Sequence, residues 1–144
     1  MSHTSPLAPS LLSADFSCLM DQLNTLSEAG VTRLHVDVMD GHFVPNLSFG
    51  APVLAKLPQD GRFFYDVHLM VEGPALTIDP YVKAGAGALT FHVEAVDDPL
   101  PFIREIKAAG CQAGLSLRPG TAVERLFPYL DSLDLVLVMT VEPG

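Results

Sequence analysis

The feature that most constrains this chain is a junction, used three times, in which a helix-like segment ends in glycine and a strand-like segment follows. The three copies are Glu28-Ala29-Gly30, Lys83-Ala84-Gly85 and Ala108-Ala109-Gly110. Glycine suits the left-handed residue that closes a helix. Regular alternation of strand and helix is typical of βα units on a parallel sheet. We therefore expect an α/β protein with parallel strands and external helices.

Apolar runs and helical periodicity place six strands and five helices along the chain. The predicted strands cover residues 8–12, 33–39, 63–70, 88–94, 112–117 and 133–141, and the predicted helices lie near 19–29, 51–57, 74–85, 101–109 and 121–130. Hydrophobic residues make up 49% of the chain, which fits strands that are buried on both faces. No linker or change of composition interrupts the pattern, so we expect a single domain over residues 1–144.

The fold that this order favours is the TIM (β/α)8 barrel, with about the first six βα units present. A doubly wound open sheet is the alternative, but no GxGxxG motif follows the first predicted strand. Candidate chemical residues recur instead at several strand ends, which is how a TIM barrel builds its site. Six strands are two fewer than a closed barrel has, so we expect the protein to continue beyond this sequence.

The charge and the cysteines limit the classes of partner. The net charge is −9, and an acidic chain without a cluster of Lys or Arg argues against nucleic acid and anionic membranes as partners. A small phosphorylated substrate stays compatible, because amides at a helix N-terminus can hold one phosphate. Cys18 and Cys111 have neither disulfide nor CxxC spacing, which predicts reduced thiols in a cytoplasmic protein. Residues 1–6 lack the pattern of a signal peptide.

The candidate chemistry lies on one face of the second predicted strand. His35, Asp37 and Met39 share that face, because side chains alternate along a strand. Further candidates at the ends of other strands are Ser10, His68, Met70 and Met139. In a barrel these ends meet at one mouth, where His35, Asp37 and His68 make a plausible three-ligand metal set. Two alternatives stay open: hydrogen-bonded core histidines, and methionines that only fill core space.

Several segments together resemble the ribulose-phosphate 3-epimerase family, and the resemblance covers essentially the whole chain. They are Pro9-Ser10-Leu11-Leu12-Ser13-Ala14-Asp15-Phe16, His35-Val36-Asp37-Val38-Met39-Asp40-Gly41-His42-Phe43-Val44-Pro45-Asn46, Asp66-Val67-His68-Leu69-Met70-Val71, Phe91-His92-Val93-Glu94-Ala95, Pro119-Gly120-Thr121 and Met139-Thr140-Val141-Glu142-Pro143-Gly144. The resemblance implies a TIM barrel that interconverts D-ribulose 5-phosphate and D-xylulose 5-phosphate in the pentose phosphate pathway. It also implies one divalent metal ion (Zn, Fe, Mn or Co) and a homo-oligomer, since the family often forms dimers or hexamers.

The resemblance also implies roles for individual residues. His35, Asp37 and His68 match metal ligands, and Asp37 matches one of two acid/base carboxylates. The positions that match substrate contacts are Ser10, His68 and Gly144, and those that match a methionine cap over the site are Met39, Met70 and Met139. The family's fourth ligand and second carboxylate, an aspartate on strand seven, has no counterpart in this sequence.

The implied reaction removes a weakly acidic proton from C3 of the sugar and returns one to the opposite face. Two carboxylates would act as general base and general acid, and the metal would stabilise the enediolate between the two steps. Two alternatives stay open at this point. The chain could be a non-catalytic metal-binding fragment of such a barrel, or an epimerase of a related ketose phosphate such as allulose 6-phosphate.

Overall fold

The computed structural model describes residues 7–144, so the prediction made for residues 1–6 lies outside the described residues. Five parallel strands form one sheet in chain order: β1 (Arg33–Met39), β2 (Phe64–Met70), β3 (Ala88–His92), β4 (Gln112–Leu117) and β5 (Leu135–Val138). The α-helices are α1 (Leu19–Glu28), α2 (Ala51–Leu54), α3 (Ile78–Lys83) and α4 (Leu100–Ala108). Shorter 3-10 segments cover Leu11–Ser13, Phe16–Cys18, Pro74–Leu76 and Val93–Ala95, and a longer one covers Val123–Ser132. The predicted α/β fold with parallel strands in TIM-barrel order is confirmed.

The glycine junctions work as the sequence predicts. Gly30, Gly85 and Gly110 follow the ends of three helices and take φ values of +81°, +97° and +84°. This left-handed conformation is costly for residues with a Cβ and lets the chain turn directly into the next strand. The helices that end there bury an apolar stripe, as α4 does with Ile103 and Ile106.

The core lies between the sheet and these helices. The outward side chains of β1, Leu34, Val36 and Val38, are at most 5% exposed, and Val67 and Leu69 of β2 are fully buried. Burying one such side chain stabilises the fold by about 1.5–3 kcal/mol. No helix formed by residues 7–144 has both the length and the apolarity needed to cross a membrane.

The first predicted strand, residues 8–12, does not form as an extended element. Ser10 makes only an isolated parallel bridge to His35, in which the carbonyl of Pro9 accepts the amide of His35 at 2.9 Å. The chain then turns, because the Ser10 hydroxyl accepts the amide of Leu12 and caps a 3-10 turn. A local side-chain cap has therefore replaced the ladder that the apolar run predicts.

The last predicted helix, residues 121–130, also differs from an α-helix. Val123–Ser132 is a 3-10 segment with Pro128 inside it. Proline has no amide hydrogen and its ring clashes with the carbonyl four residues earlier, which disfavours α-helix geometry. β5 is correspondingly shorter than the predicted strand 133–141 and ends at Val138.

Candidate active site

The register between β1 and β2 places the chemical residues side by side. Asp37 of β1 pairs with His68 of β2, and His35 pairs with Asp66. These side chains point to the concave face of the sheet, while the alternate residues of β1 enter the core. His35 and Asp37 lie within β1, whose bounds match the predicted 33–39, and Met39 is the residue that ends it.

Three side chains converge on one point of that face. The His35 Nε2 atom and the His68 Nδ1 atom each lie 3.2 Å from Asp37 Oδ1. One ligand atom from each residue lies within 4.8 Å of the others. His68 is buried, and the other two side chains are only 16–17% exposed. The imidazole–carboxylate–imidazole donor set fits a divalent transition metal such as zinc.

Asp37 is held as a carboxylate. Burial alone would raise its pKa, but hydrogen bonds from His35, His68 and the Ser10 hydroxyl outweigh burial and hold the pKa well below its usual range. The backbone carbonyl of Asp37 also accepts the Ser48 hydroxyl at 2.7 Å. An ionised, fixed carboxylate at this point can bind a metal ion or accept a proton from a bound molecule.

His35 sits between two carboxylates. Burial alone would lower its pKa, but hydrogen bonds to Asp37 and Asp66 raise it to about 9. Asp66 Oδ2 in turn accepts a hydrogen bond from the Arg33 guanidinium at 3.1 Å. Asp66 Oδ1 is buried without a partner among the described residues. In the absence of a metal, His35 is thus held as a cation that balances part of the local negative charge.

His68 continues into a second histidine and a glutamate that the sequence analysis did not single out as site residues. His68 Nε2 lies 2.8 Å from His92 Nε2, and His92 Nδ1 lies 3.2 Å from Glu94 Oε2. Burial and the neighbouring His68 lower the pKa of His92 to about 4. The signal that could have found the pair is the similarity between Leu34-His35-Val36-Asp37 and Phe91-His92-Val93-Glu94.

The other predicted site residues surround this centre to different degrees. The Ser10 hydroxyl donates directly to Asp37 Oδ2. Met39 and Met70 are paired across β1 and β2, two residues after Asp37 and His68, and Met70 is buried. Met139 follows β5, where its amide donates to the carbonyl of Leu117 at 3.2 Å. Gly144 is farther along, at a φ of +105°, and a Cβ at this position would lie 2.9 Å from the Val44 side chain in the loop after β1.

A cavity of about 290 Å³ lies beside His35, while Asp37 and His68 do not line it. His35, Asp66 and Thr90 form its polar wall, and Leu135 and Leu137 of β5 form its apolar wall. The polar groups therefore lie on the β1–β3 side of the concave face, and the β5 side is apolar.

Comparison with known proteins gives a consistent match along the chain. The model of the "Ribulose-phosphate 3 epimerase family" matches residues 6–144. Similar curated proteins include "Ribulose-phosphate 3-epimerase, cytoplasmic isoform" of Oryza sativa, which is 48% identical over 142 residues that cover 96% of this chain and 62% of the rice protein. The ribulose-phosphate 3-epimerase of Treponema pallidum is 52% identical over 144 residues, which cover all of this chain and 66% of that protein.

A third relative agrees with these two. The ribulose-phosphate 3-epimerase of Mycobacterium tuberculosis is 50% identical over 141 residues that cover 96% of this chain and 59% of that protein. The chain thus spans about three fifths to two thirds of the length of the curated relatives that it matches.

Proposed function

The chain belongs to the ribulose-phosphate 3-epimerase family, and from this premise we propose that the protein is a metal-dependent isomerase that interconverts D-ribulose 5-phosphate and D-xylulose 5-phosphate. The observation that carries the proposal is the convergence of His35, Asp37 and His68, whose ligand atoms lie within 4.8 Å of one another. Two imidazoles and a carboxylate at this spacing make a compact donor set for a divalent cation, and His35 also lines the neighbouring cavity.

In this proposal His35 Nε2, Asp37 and His68 Nδ1 hold one divalent ion: Zn, Fe, Mn or Co. When bound, that ion supplies positive charge where negative charge develops on the sugar oxygens. Asp37 acts as a general base toward C3 on one face of the sugar, since its carboxylate is ionised and fixed by Ser10. Ser10, His68 and Gly144 contact the substrate, and Met39, Met70 and Met139 give the site an apolar cover.

The proposal also covers the domain organisation, the cellular location and the assembly of the protein. Residues 1–144 form one partial TIM-barrel domain, and the protein works in the cytoplasm, as the name of the rice relative states for that protein. The protein assembles as a homo-oligomer.

The test, which applies to the complete enzyme, is Asp37→Asn. This change keeps the size of the side chain and removes the base and one ligand charge. We expect turnover of D-ribulose 5-phosphate with metal in excess to fall by about 10²- to 10⁴-fold or more. Asp97→Asn, at an exposed position, is the matched control and should retain turnover. Met39→Leu should cost much less, because it conserves volume and apolarity.

Exchange of the C3 proton with deuterated solvent completes this experiment. Near-normal exchange in Asp37→Asn would remove Asp37 from the mechanism, whereas loss of turnover with exchange intact would assign it to one of the two faces. An unmodified protein that binds metal but converts neither D-ribulose 5-phosphate nor D-allulose 6-phosphate would contradict the proposed activity. Conversion of allulose 6-phosphate alone would replace the substrate.

A further inference from the structure

The hydrogen bonds of His68 do not end at Asp37 but continue through His92 to Glu94. His68 and His92 are at most 1% exposed, and their Nε2 atoms face each other at 2.8 Å. Two ring nitrogens at this distance make a hydrogen bond only if one of them carries a proton and the other does not. The protons of the two histidines are therefore linked, and a neighbour that fixes one ring also fixes the other.

Glu94 is that neighbour. Its Oε1 accepts the backbone amide of Arg118 at 2.9 Å, and its Oε2 faces His92 Nδ1 at 3.2 Å. An ionised carboxylate only accepts, so His92 has to present a proton on Nδ1. Since burial disfavours a doubly protonated, charged His92 ring, its Nε2 has no proton and accepts from His68.

The orientation of the His92 ring is set by contacts beyond the hydrogen bonds. The Phe43 ring packs on it with 4.8 Å between ring centroids. The Arg118 guanidinium lies over the Phe43 ring, 4.2 Å from its centroid, and donates to the carbonyl of Phe43 at 3.0 Å. Glu94 and Phe43 thus contact His92 directly, and Arg118 contacts both Glu94 and Phe43, so the ring cannot turn without breaking these contacts.

We propose that His92 and Glu94 are positioning residues. His92 accepts a hydrogen bond from His68 Nε2, so His68 turns Nδ1 toward Asp37, and a metal would take the place of the proton that Nδ1 donates to Asp37. The inference rests on the proposed function, because it concerns the same metal centre. Outer partners of this kind orient a ligating histidine and raise its basicity. Neither residue touches the ion or the sugar in this arrangement; both act through His68.

The first experiment needs no mutation. Long-range ¹⁵N–¹H correlation spectra of the metal-free chain at neutral pH report which nitrogen of each histidine carries a proton. We expect a proton on Nδ1 and none on Nε2 of His92, and a proton on Nε2 of His68. A proton on Nε2 of His92 would overturn the proposal, whatever the protein does with metal.

The second experiment measures the affinity for Zn²⁺ and for Co²⁺ by competition with a chelator. Glu94→Gln places an amide where only acceptors fit, so it disturbs the proton order without removing the side chain. We expect the dissociation constant to rise by about 10- to 100-fold. Glu105→Gln, an exposed residue of α4, is the matched control and should bind as the unmodified chain does. A folded Glu94→Gln chain with unchanged affinity would overturn the proposal.

His92→Phe provides a second route to the same answer, since it keeps a ring against Phe43 but removes the acceptor for His68 Nε2. We expect a comparable loss of metal affinity, and unchanged affinity in a folded variant would count against the positioning role. If the unmodified chain binds neither ion, the proposed function fails, while the spectra of the metal-free chain still decide the proton order. The two failures are therefore distinguishable.

Discussion

β2 and β5 are parallel strands of the same sheet but have different surroundings. β2 pairs with β1 and β3, and six of its seven residues are buried. β5 pairs with β4, and among the described residues no second strand lies on its other side. Its outward side chains, Val136 and Val138, are 38% and 60% exposed, and Phe127 and Leu130 of the preceding 3-10 segment are about half exposed.

The difference shows that the apolar residues of a strand give only its capacity for burial. The neighbouring strands and helices determine how much of that apolar surface is buried. It also separates the molecule by chemistry. The β1–β3 part of the concave face carries the converging histidines and carboxylates, and its outward face is sealed by helices. The β5 part lines the cavity with Leu135 and Leu137. The region with the rigid, covered backbone is the one that holds the candidate site, where fixed geometry matters most.

The largest expected effect compares one substitution in the two regions. Leu69→Ala in β2 removes a fully buried side chain, and we expect it to lower the free energy of unfolding by about 2–5 kcal/mol. Leu130→Ala beside β5 should cost about 1 kcal/mol or less, since nearly half of that side chain already lies in water. Urea unfolding followed by circular dichroism measures both. Equal losses would show that the two regions are packed alike in solution.

The second expected effect is a pH dependence that belongs to the β1–β2 region. In the metal-free protein the pKa of His35 is about 9, above the ordinary value of 6.5. A raised pKa means that the folded state holds the proton more tightly, so the stability it contributes is full below pH 6.5 and is lost as pH rises toward 9. Unfolding free energies measured in chelator from pH 6.5 to 9 should fall, and His35→Asn should flatten the curve. A flat curve for the unmodified protein would contradict the Asp37 and Asp66 contacts.

The smallest expected effect tests how β5 is attached. Asp134 Oδ2 accepts the amide of Ala113 at the start of β4 at 2.9 Å, and Asp134 Oδ1 lies 3.3 Å from Lys107 Nζ. Asp134→Ala should cost about 1 kcal/mol, because it leaves a partly buried amide without its acceptor. Lys107→Ala removes an exposed ion pair and an exposed hydrogen bond to the carbonyl of Ser132, and it should cost less, about 0–1 kcal/mol. A larger loss for Lys107→Ala would mean that charge, not the amide bond, attaches this strand.

The local parts of this protein follow from its sequence. The three helix–glycine junctions predict the parallel α/β order, and the period-two pattern of β1 places His35, Asp37 and Met39 on one face. Both inferences need only nearest neighbours along the chain, because strand alternation and the left-handed conformation of glycine are local properties. The apolar run at 8–12 wrongly predicts a strand, because the Ser10 cap competes with strand pairing and the outcome depends on partners elsewhere in the chain.

Only the tertiary structure decided which distant residues meet. The register of β1 against β2 puts His68 next to Asp37, 31 positions away, and that of β3 puts His92 where its Nε2 reaches His68. Glu94 belongs to this series of hydrogen bonds because β3 ends at His92 and the following 3-10 turn places the glutamate next to the amide of Arg118. Such contacts depend on the pairing of whole strands, which is set by the packing of both sheet faces and cannot be deduced from the residues of either strand alone.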